Sequence, residues 1–272
     1  MNNKILRLGL VGKDVSKSPS GKIHTFILGQ FGYGCQYETL SVSPVEFDSV
    51  MRRFLGDFDA FNVTIPYKRD VFEYLDEIVD DALSCGAVNT VICENKTGYN
   101  TDGKGFLLML ETAGICVKGK KALVLGLGGS GRSIAVAMQN AGATVYAYRR
   151  NRKELEETCA QLGVLPADKI EDGGFDILIN CTGVGMHDSE GRSPVSNTAF
   201  KGAEWAVDLI YVPEKSAFLQ LAEQEKVKTL NGAAMLFYQA YFADCLFLKK
   251  TPCVSQAKEF YLLYTAQAPT KD

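Results

Sequence analysis

Four short clusters of polar residues in the first half of the chain together offer a cation, an anion, hydroxyls and amides. The clusters are Ser16 with Ser18, Asn62 with Thr64 and Lys68, Asn89 with its neighbours, and Asn100 to Asp102. We expect each of them at the end of a strand, and ligands of open α/β sheets bind beyond the carboxyl ends of strands. This combination of groups suits a small polyhydroxylated carboxylate, so the sequence predicts a substrate site here.

A glycine-rich turn, Gly126-Leu127-Gly128-Gly129-Ser130-Gly131, fits the pattern G-x-G-x-x-G. The first glycine of such a turn allows a tight bend, the second lets the backbone approach a pyrophosphate, and the third lets helix and strand pack closely. The apolar run before it and the helical pattern after it supply the required context. The turn predicts a dinucleotide site, and the alternative is a purely structural glycine turn.

The residues that follow the next strand bear on the choice of cofactor. An NAD site usually has Asp or Glu about 20 residues past the first glycine. This chain instead has Tyr148-Arg149-Arg150-Asn151-Arg152, and guanidinium groups bind a 2′-phosphate through charge-assisted hydrogen bonds. The sequence therefore predicts NADP over NAD, and the alternative is a solvated basic start of a helix.

Strands and helices alternate along the chain, which predicts an α/β fold with largely parallel sheets. The expected strands are 8–11, 37–42, 60–65, 88–93, 122–125, 144–148, 175–180 and 205–209. The second half repeats strand and helix in the manner of a doubly wound domain. From Met235 the apolar spacing becomes nearly continuous helix, with a last helix over 254–266.

The bulk composition is that of an ordinary globular protein. The chain has 272 residues, a length that fits two compact domains, and its net charge of -3 shows no basic excess of the kind that binds nucleic acid or membrane surfaces. Its eight cysteines form no C-x-x-C pair, and with two histidines we expect no metal site. No secretory signal or membrane-spanning run is recognised, so we expect a cytoplasmic protein.

Seven motifs, in order along the chain, resemble the successive signatures of the shikimate dehydrogenases. They are Ser16-Lys17-Ser18-Pro19 and the segments 62–68, 86–90, 100–103, 180–186, 208–213 and 232–239. The resemblance implies reversible reduction of 3-dehydroshikimate to shikimate with NADPH, on the route through chorismate to the aromatic amino acids. It also implies a substrate domain formed by 1–102 and 236–272, because the C-terminal helices return to it, and a Rossmann-type NADP-binding domain formed by 103–235.

The resemblance also implies a role for each matching residue. Lys68 and Asp102 are expected to be the catalytic pair. Residues expected to bind the substrate are Ser16, Ser18 and Tyr211 for the carboxylate, and Thr64, Asn89, Asp102 and Gln239 for the ring hydroxyls. Residues expected to bind NADP are Gly126, Gly128, Gly129, Ser130, Gly131, Arg149, Arg150 and Asn151, with Thr182, Val184, Gly232 and Met235 bordering the nicotinamide.

The sequence departs from the family pattern at two places. Many members carry His where this chain has Val15, and the common Asn-Arg-Thr at the 2′-phosphate is Arg149-Arg150-Asn151 here. Oxidation of an alcohol releases a hydride and a proton, and a side chain must take the proton. Because His24 and His187 lie outside the motifs, lysine is the natural candidate for that step.

Three alternatives remain at this stage. A quinate/shikimate dehydrogenase would keep the fold with a broader substrate range or NAD use, and a non-catalytic binding protein would retain a relict site. A one-carbon folate dehydrogenase shares a related two-domain plan, although the serine loop and Tyr211 count against it. The chain is expected to be a monomer or a homodimer that binds neither nucleic acid nor membrane.

Overall fold

The structure, a computed structural model, describes residues 5–186 and 189–267. The chain divides into two compact units, the first formed by Met1–Leu108 with Leu236–Asp272 and the second by Met109–Met235. His187 lies outside the described residues.

The first unit contains a mixed sheet. Its strands are β1 (Ile5–Gly12), β2 (Gly34–Ser41), β3 (Ala60–Val63), β4 (Glu77–Ile78), β5 (Thr90–Ile92) and β6 (Thr97–Tyr99), in the order β2-β1-β3-β5-β6-β4. β1 pairs in parallel with β2 and β3, whereas β5 runs antiparallel to β3 and β6. The turn between β5 and β6 is too short for the crossover that parallel neighbours need, and this makes the sheet less parallel than predicted.

Helices flank this sheet. They are α1 (Ser20–Gln30), α2 (Phe47–Asp57), α3 (Asp80–Cys85) and α4 (Asp102–Thr112), with a 3-10 helix at Asp70–Tyr74. Helix α1 begins directly after Pro19, whose fixed φ suits a helix start. α2 turns Met51 and Phe54 towards a core with Phe61 and Val91, where all four side chains are buried.

The second unit contains a sheet in which every observed strand pair is parallel. Its elements are β7 (Lys121–Leu125), α5 (Gly129–Asn140), β8 (Thr144–Tyr148), α6 (Arg152–Leu162), β9 (Leu165–Pro166), β10 (Ile177–Asn180), a 3-10 helix at Asn197–Phe200, β11 (Trp205–Asp208), α7 (Ala217–Gln224) and β12 (Lys228–Asn231). The strand order is β12-β11-β10-β7-β8-β9. Counted within the unit, this is the 3-2-1-4-5-6 order of the Rossmann fold, with its switch point between β7 and β10. The predicted doubly wound arrangement is confirmed.

Two helices end the described chain, α8 (Ala233–Phe247) and α9 (Val254–Ala266). α9 packs on α1 through aromatic pairs, with ring centroids 5.2 Å apart for Phe26 and Tyr264 and 5.3 Å apart for Phe31 and Phe260. The apolar stripes of these helices are therefore packing faces. Across the described residues, no helix combines the length and the apolar character that a membrane crossing requires.

Candidate functional site

The polar clusters of the first unit meet at one edge of its sheet. The ends of β1, β3 and β6 lie at this edge, and they carry the serine loop, Thr64 with Lys68, and Asn100 to Asp102. Asn89 differs, because it precedes β5 instead of following a strand, so the expectation that all four clusters lie at carboxyl ends was wrong for it. β5 is antiparallel to its neighbours, and its amino end therefore reaches the same edge.

Lys68 and Asp102 form a buried ion pair. Lys68 Nζ lies 2.5 Å from Asp102 Oδ2, and the two side chains are 7% and 6% exposed. Asp102 is the first residue of α4, where the helix dipole favours a negative charge. Its backbone N–H donates to Asn100 Oδ1 at 2.9 Å, and Asn100 Nδ2 donates to Ala87 O at 2.7 Å, so the backbone that carries Asp102 is fixed at the start of α4.

Asn89 connects this pair to its surroundings. Its Nδ2 donates to Asp102 Oδ1 at 2.8 Å and to Thr101 Oγ1 at 2.9 Å. Its Oδ1 accepts the backbone N–H of Thr101 at 2.9 Å, which fixes the orientation of the amide. Asn89 Nδ2 also lies 3.3 Å from Gln239 Oε1. The structure thus brings together four of the predicted site residues: Lys68, Asn89, Asp102 and Gln239.

Gln239 reaches this cluster from α8 because α4 and α8 approach very closely. A Cβ added to Gly105 on α4 would stand 2.6 Å from the backbone N of Gln239, closer than real side chains come. Gln239 Nε2 donates back to Leu236 O at 2.8 Å, which directs its Oε1 towards Asn89. Sequence reasoning missed Gly105, although a glycine inside a helix is a signal of close packing.

The serine loop lies between β1 and α1. Ser16 is exposed, and its Oγ donates to Asp14 Oδ1 at 3.0 Å. Ser18 is half-buried, with its Oγ 2.9 Å from Ser20 Oγ and its backbone N–H bonded to Val15 O. Two hydroxyls are therefore displayed by one tight loop, and Ser16 has an acidic neighbour that the sequence interpretation did not weigh.

Thr64 packs against the start of that loop. Its backbone N–H donates to Val11 O at 2.9 Å, and a Cβ on Gly12 would lie 2.5 Å from Thr64 Cγ2. The absence of a side chain at Gly12 therefore lets Thr64 sit against the end of β1.

The glycine turn of the second unit has the geometry of a phosphate cradle. Gly126 has φ +90°, which favours glycine, and a Cβ on Gly131 would stand 2.0 Å from Gly126 O. Gly128 caps α5, and a Cβ there would meet nothing within 4 Å. The turn thus needs its first and last glycines for its own fold, while the space at Gly128 is open in front of a helix N-terminus. This is the arrangement that a dinucleotide pyrophosphate requires.

The predicted arginines follow β8, beside this turn. The guanidinium of Arg149 is paired with the carboxylate of Glu154, and Arg150 is exposed. Asn151 caps α6, since its Oδ1 accepts the backbone N–H of Glu154 at 3.3 Å and its Nδ2 donates to Glu154 Oε1 at 2.6 Å. The sequence carries this capping signal as Asn followed three residues later by Glu, and it was overlooked.

A buried polar network lies at the end of β10. Asp208 Oδ1 accepts from Asn180 Nδ2 and from the backbone N–H of Ile210, both at 3.0 Å, and Ser216 donates to Oδ2 at 2.5 Å. Burial raises the pKa of the Asp208 carboxyl, while these hydrogen bonds lower it. Asn180 Oδ1 in turn accepts from Thr182 Oγ1 at 2.6 Å. The network fixes the loop that carries Thr182.

The remaining predicted residues also belong to the second unit. Val184 donates its backbone N–H to Thr182 Oγ1 at 3.1 Å, and a Cβ on Gly232 would stand 2.2 Å from Leu209 O. Met235 is buried, and Tyr211 is half-buried, which raises the pKa of its hydroxyl. Because Ser16 and Ser18 belong to the first unit, the shared carboxylate site with Tyr211 stays a prediction.

Comparisons with known proteins agree on the family. Residues 10–91 match the family model of the shikimate dehydrogenase substrate binding domain. The shikimate dehydrogenase (NADP(+)) of Caldanaerobacter subterraneus subsp. tengcongensis is 37% identical over 251 residues, which cover 86% of this chain and 89% of the relative. This chain belongs to the shikimate dehydrogenase family.

Solved structures of the family have the same fold. Shikimate dehydrogenase 1 from Peptoclostridium difficile has a TM-score of 0.86 and 29% identity, with 95% of this chain and 97% of that chain covered. Shikimate 5-dehydrogenase from Thermus thermophilus, in complex with NADP(H) and shikimate, has a TM-score of 0.85 and 31% identity, with coverage of 94% and 98%. The family resemblance and the fold class predicted from the motifs are confirmed.

Within the shikimate dehydrogenase family, the departure at Val15 has a local structural explanation. The side chain is 4% exposed, and a Cβ on Gly12 would stand 2.6 Å from its Cγ1. Its backbone N–H donates to Ser41 Oγ at 3.0 Å. In this chain the position is thus occupied by a packing residue that supports the serine loop.

Proposed function

We propose that this chain is an NADP-dependent shikimate dehydrogenase that interconverts 3-dehydroshikimate and shikimate in the cytoplasm, within the biosynthesis of chorismate and the aromatic amino acids. The observation that carries the proposal is the buried pair of Lys68 and Asp102, held by Asn89 next to Gln239. Burying an ion pair costs desolvation free energy, so the pair of Lys68 and Asp102 contributes little to stability. Its position among polar residues at the edge of the sheet therefore supports a catalytic role.

The proposed chemistry assigns the proton to this pair. In the direction of ketone reduction, Lys68 Nζ–H donates a proton to the oxygen that becomes the alcohol, and its positive charge stabilises the developing alkoxide. Asp102 accepts a hydrogen bond from Lys68 and fixes where Nζ points. In alcohol oxidation the same proton passes back from the substrate hydroxyl to the Lys68–Asp102 pair. When bound, NADP supplies or accepts the hydride.

The substrate is proposed to bind at the same edge through complementary polar groups. The amide of Gln239, the amide of Asn89 and the hydroxyl of Thr64 would hold ring hydroxyls. Ser16 and Ser18, with Tyr211 from the second unit, would hold the carboxylate. The alignment of strand ends in the first unit supports the placement of Thr64 and Asn89, because Thr64 follows β3 and Asn89 precedes the antiparallel β5 at the same edge.

The cofactor is proposed to bind to the second unit. The glycine turn fits the pyrophosphate, because Gly128 leaves open space before α5 and Gly131 allows the close approach of helix and strand. Arg149, Arg150 and Asn151 would bind the 2′-phosphate, and Thr182, Val184, Gly232 and Met235 would border the nicotinamide. Gly129 and Ser130, in the first turn of α5, offer further backbone N–H groups to the phosphates.

The experiment that tests the function is a rate measurement with the purified chain, shikimate and NADP, following the absorbance of reduced nicotinamide. Parallel arms use quinate in place of shikimate and NAD in place of NADP. We expect rapid shikimate oxidation with NADP and a much lower kcat/KM in the other arms. Comparable rates with quinate or NAD would favour a quinate/shikimate dehydrogenase. Binding of shikimate without turnover would favour a non-catalytic protein.

A further inference from the structure

Glu154 holds two of the residues expected to meet the cofactor. Its carboxylate pairs with the Arg149 guanidinium, and its Oε1 accepts from Asn151 Nδ2 at 2.6 Å. It lies in the first turn of α6, and its own backbone N–H is bonded by Asn151 Oδ1. The acid is therefore a fixed member of the turn after β8.

This turn lies beside the glycine turn. β8 pairs with β7 in a register that sets Tyr148 opposite Leu125, and the N–H of Gly126 donates to Tyr148 O at 2.8 Å. Arg149 and Arg150 follow directly. An anion that binds the Arg149 guanidinium must therefore approach a group that is already ion-paired with the Glu154 carboxylate.

The charge of the turn is smaller than its sequence indicates. Arg152 is bridged to Glu156 and to Asp168, and Arg149 is bridged to Glu154. Arg150 is exposed and forms no ion pair with the residues that the structure describes. Two of the three guanidinium charges are thus compensated within the protein.

We propose that Glu154 sets the cofactor specificity of this chain. Its carboxylate weakens the binding of the 2′-phosphate by Arg149 and so lowers the ratio of the affinity for NADP to the affinity for NAD. This inference rests on the proposed binding of NADP to this turn. The charge of Glu154 opposes a phosphate dianion, and binding must displace or share an existing ion pair. NAD lacks the 2′-phosphate, so this charge affects its binding much less.

The variant Glu154→Gln isolates the charge from the geometry. Glutamine keeps the length of the side chain and one acceptor oxygen for Asn151 Nδ2 or Arg149, but it carries no negative charge, and the backbone N–H at this position can still donate to Asn151 Oδ1. The probes are adenosine 2′,5′-bisphosphate and AMP, which differ in the 2′-phosphate, titrated by calorimetry without substrate. Glu157→Gln is the matched control, because Glu157 lies on the same helix and its carboxylate approaches Lys153 at 4.0 Å.

We expect Glu154→Gln to bind the bisphosphate about three- to fivefold more tightly, the range of a half-exposed charge interaction. AMP binding should stay within about twofold, the KM ratio of NAD to NADP should rise in parallel, and the effect should shrink at high salt. Glu157→Gln should leave the affinity for the bisphosphate and for AMP unchanged. Weaker or unchanged bisphosphate binding by Glu154→Gln, or equal tightening of AMP, would overturn the inference.

The same titrations separate this inference from the proposed function. If the parent chain binds the bisphosphate no more tightly than AMP, the NADP assignment fails, and the inference fails with it. If the Glu154→Gln effect is observed but shikimate is not oxidised, the specificity role stands and the proposed activity fails.

Discussion

Gly105 on α4 lies directly against the backbone of Gln239 on α8, and a Cβ at this glycine would stand 2.6 Å from Gln239 N and 2.8 Å from its Cβ. This contact sets how far the Gln239 side chain reaches towards Asn89, whose Nδ2 lies 3.3 Å from Gln239 Oε1. Gly105, which has no side chain to bind substrate, thereby positions Gln239, a residue proposed to bind it.

Gly105→Ala should therefore displace α8 and impair the site. The neighbouring atoms are the backbone N and Cα of Gln239 and its Cβ, none of which moves when the side chain rotates, so we expect a drop of about tenfold or more in kcat/KM for shikimate together with a lower Tm. Gly29→Ala on α1 is the matched control, because a Cβ there meets nothing within 4 Å and alanine is the better helix former. Equal activity of the two variants would show that the close approach does not position Gln239.

The glycine turn offers a test of cofactor binding that is separable from folding. Gly128→Ala adds a Cβ in open space at a φ of -72°, which alanine adopts readily, so the Tm should fall by no more than the small cost of alanine at an N-cap. If the backbone must approach a pyrophosphate at this point, NADP should bind about tenfold or more weakly, as measured by calorimetry. Gly131→Ala should instead lower the Tm, since its Cβ would collide with Gly126 O. A Gly128→Ala variant that binds NADP normally would favour a structural turn.

Asp244 gives a prediction for stability against pH. His24 Nδ1 lies 2.7 Å from Asp244 Oδ1, and both side chains are buried. Burial raises the pKa of the Asp244 carboxyl above its ordinary value of 3.8, although the hydrogen bond and charge of His24 act in the opposite direction. The folded state thus binds more protons than the unfolded chain, so stability falls as pH rises from about 3.8 through the raised pKa.

Asp244→Asn should remove the fall in stability with rising pH, because asparagine does not titrate. The Tm of the variant minus the Tm of the parent should increase as pH rises across that window and then level off, as measured by thermal unfolding in a series of buffers. A difference that is constant with pH, or that decreases, would contradict the raised pKa.

The sequence predicted the longer elements well because each presents enough residues to show a period. The strand 144–148 and the helix 254–266 have the predicted bounds, and the doubly wound plan of the second unit followed from the alternation of elements. β4, with two residues, and β6, with three, were missed because such short strands have no readable period. Without β6, the hairpin that returns the chain from β5 to the site edge at Asn100 was also missed.

The site was predicted as a set of residues, and its internal contacts were not. Motif positions indicated Lys68 and Asp102, but the roles of Gly105 and Glu154 depend on tertiary proximity and on side-chain pairing. Sequence spacing alone does not encode the approach of α4 to α8, since Gly105 and Gln239 are far apart in the chain. The capping of α6 by Asn151 was readable locally, because Glu154 follows it by three residues.

The central claim is that the Lys68–Asp102 pair transfers the substrate proton. The most direct measurement is the turnover of shikimate with NADP by Lys68→Met, compared with the parent chain in preparations that bind NADP equally and remain folded at the assay temperature. We predict a fall in kcat of about a hundredfold to ten-thousandfold, the contribution of a positioned general acid–base group. A variant that turns over within a few-fold of the parent would contradict the claim.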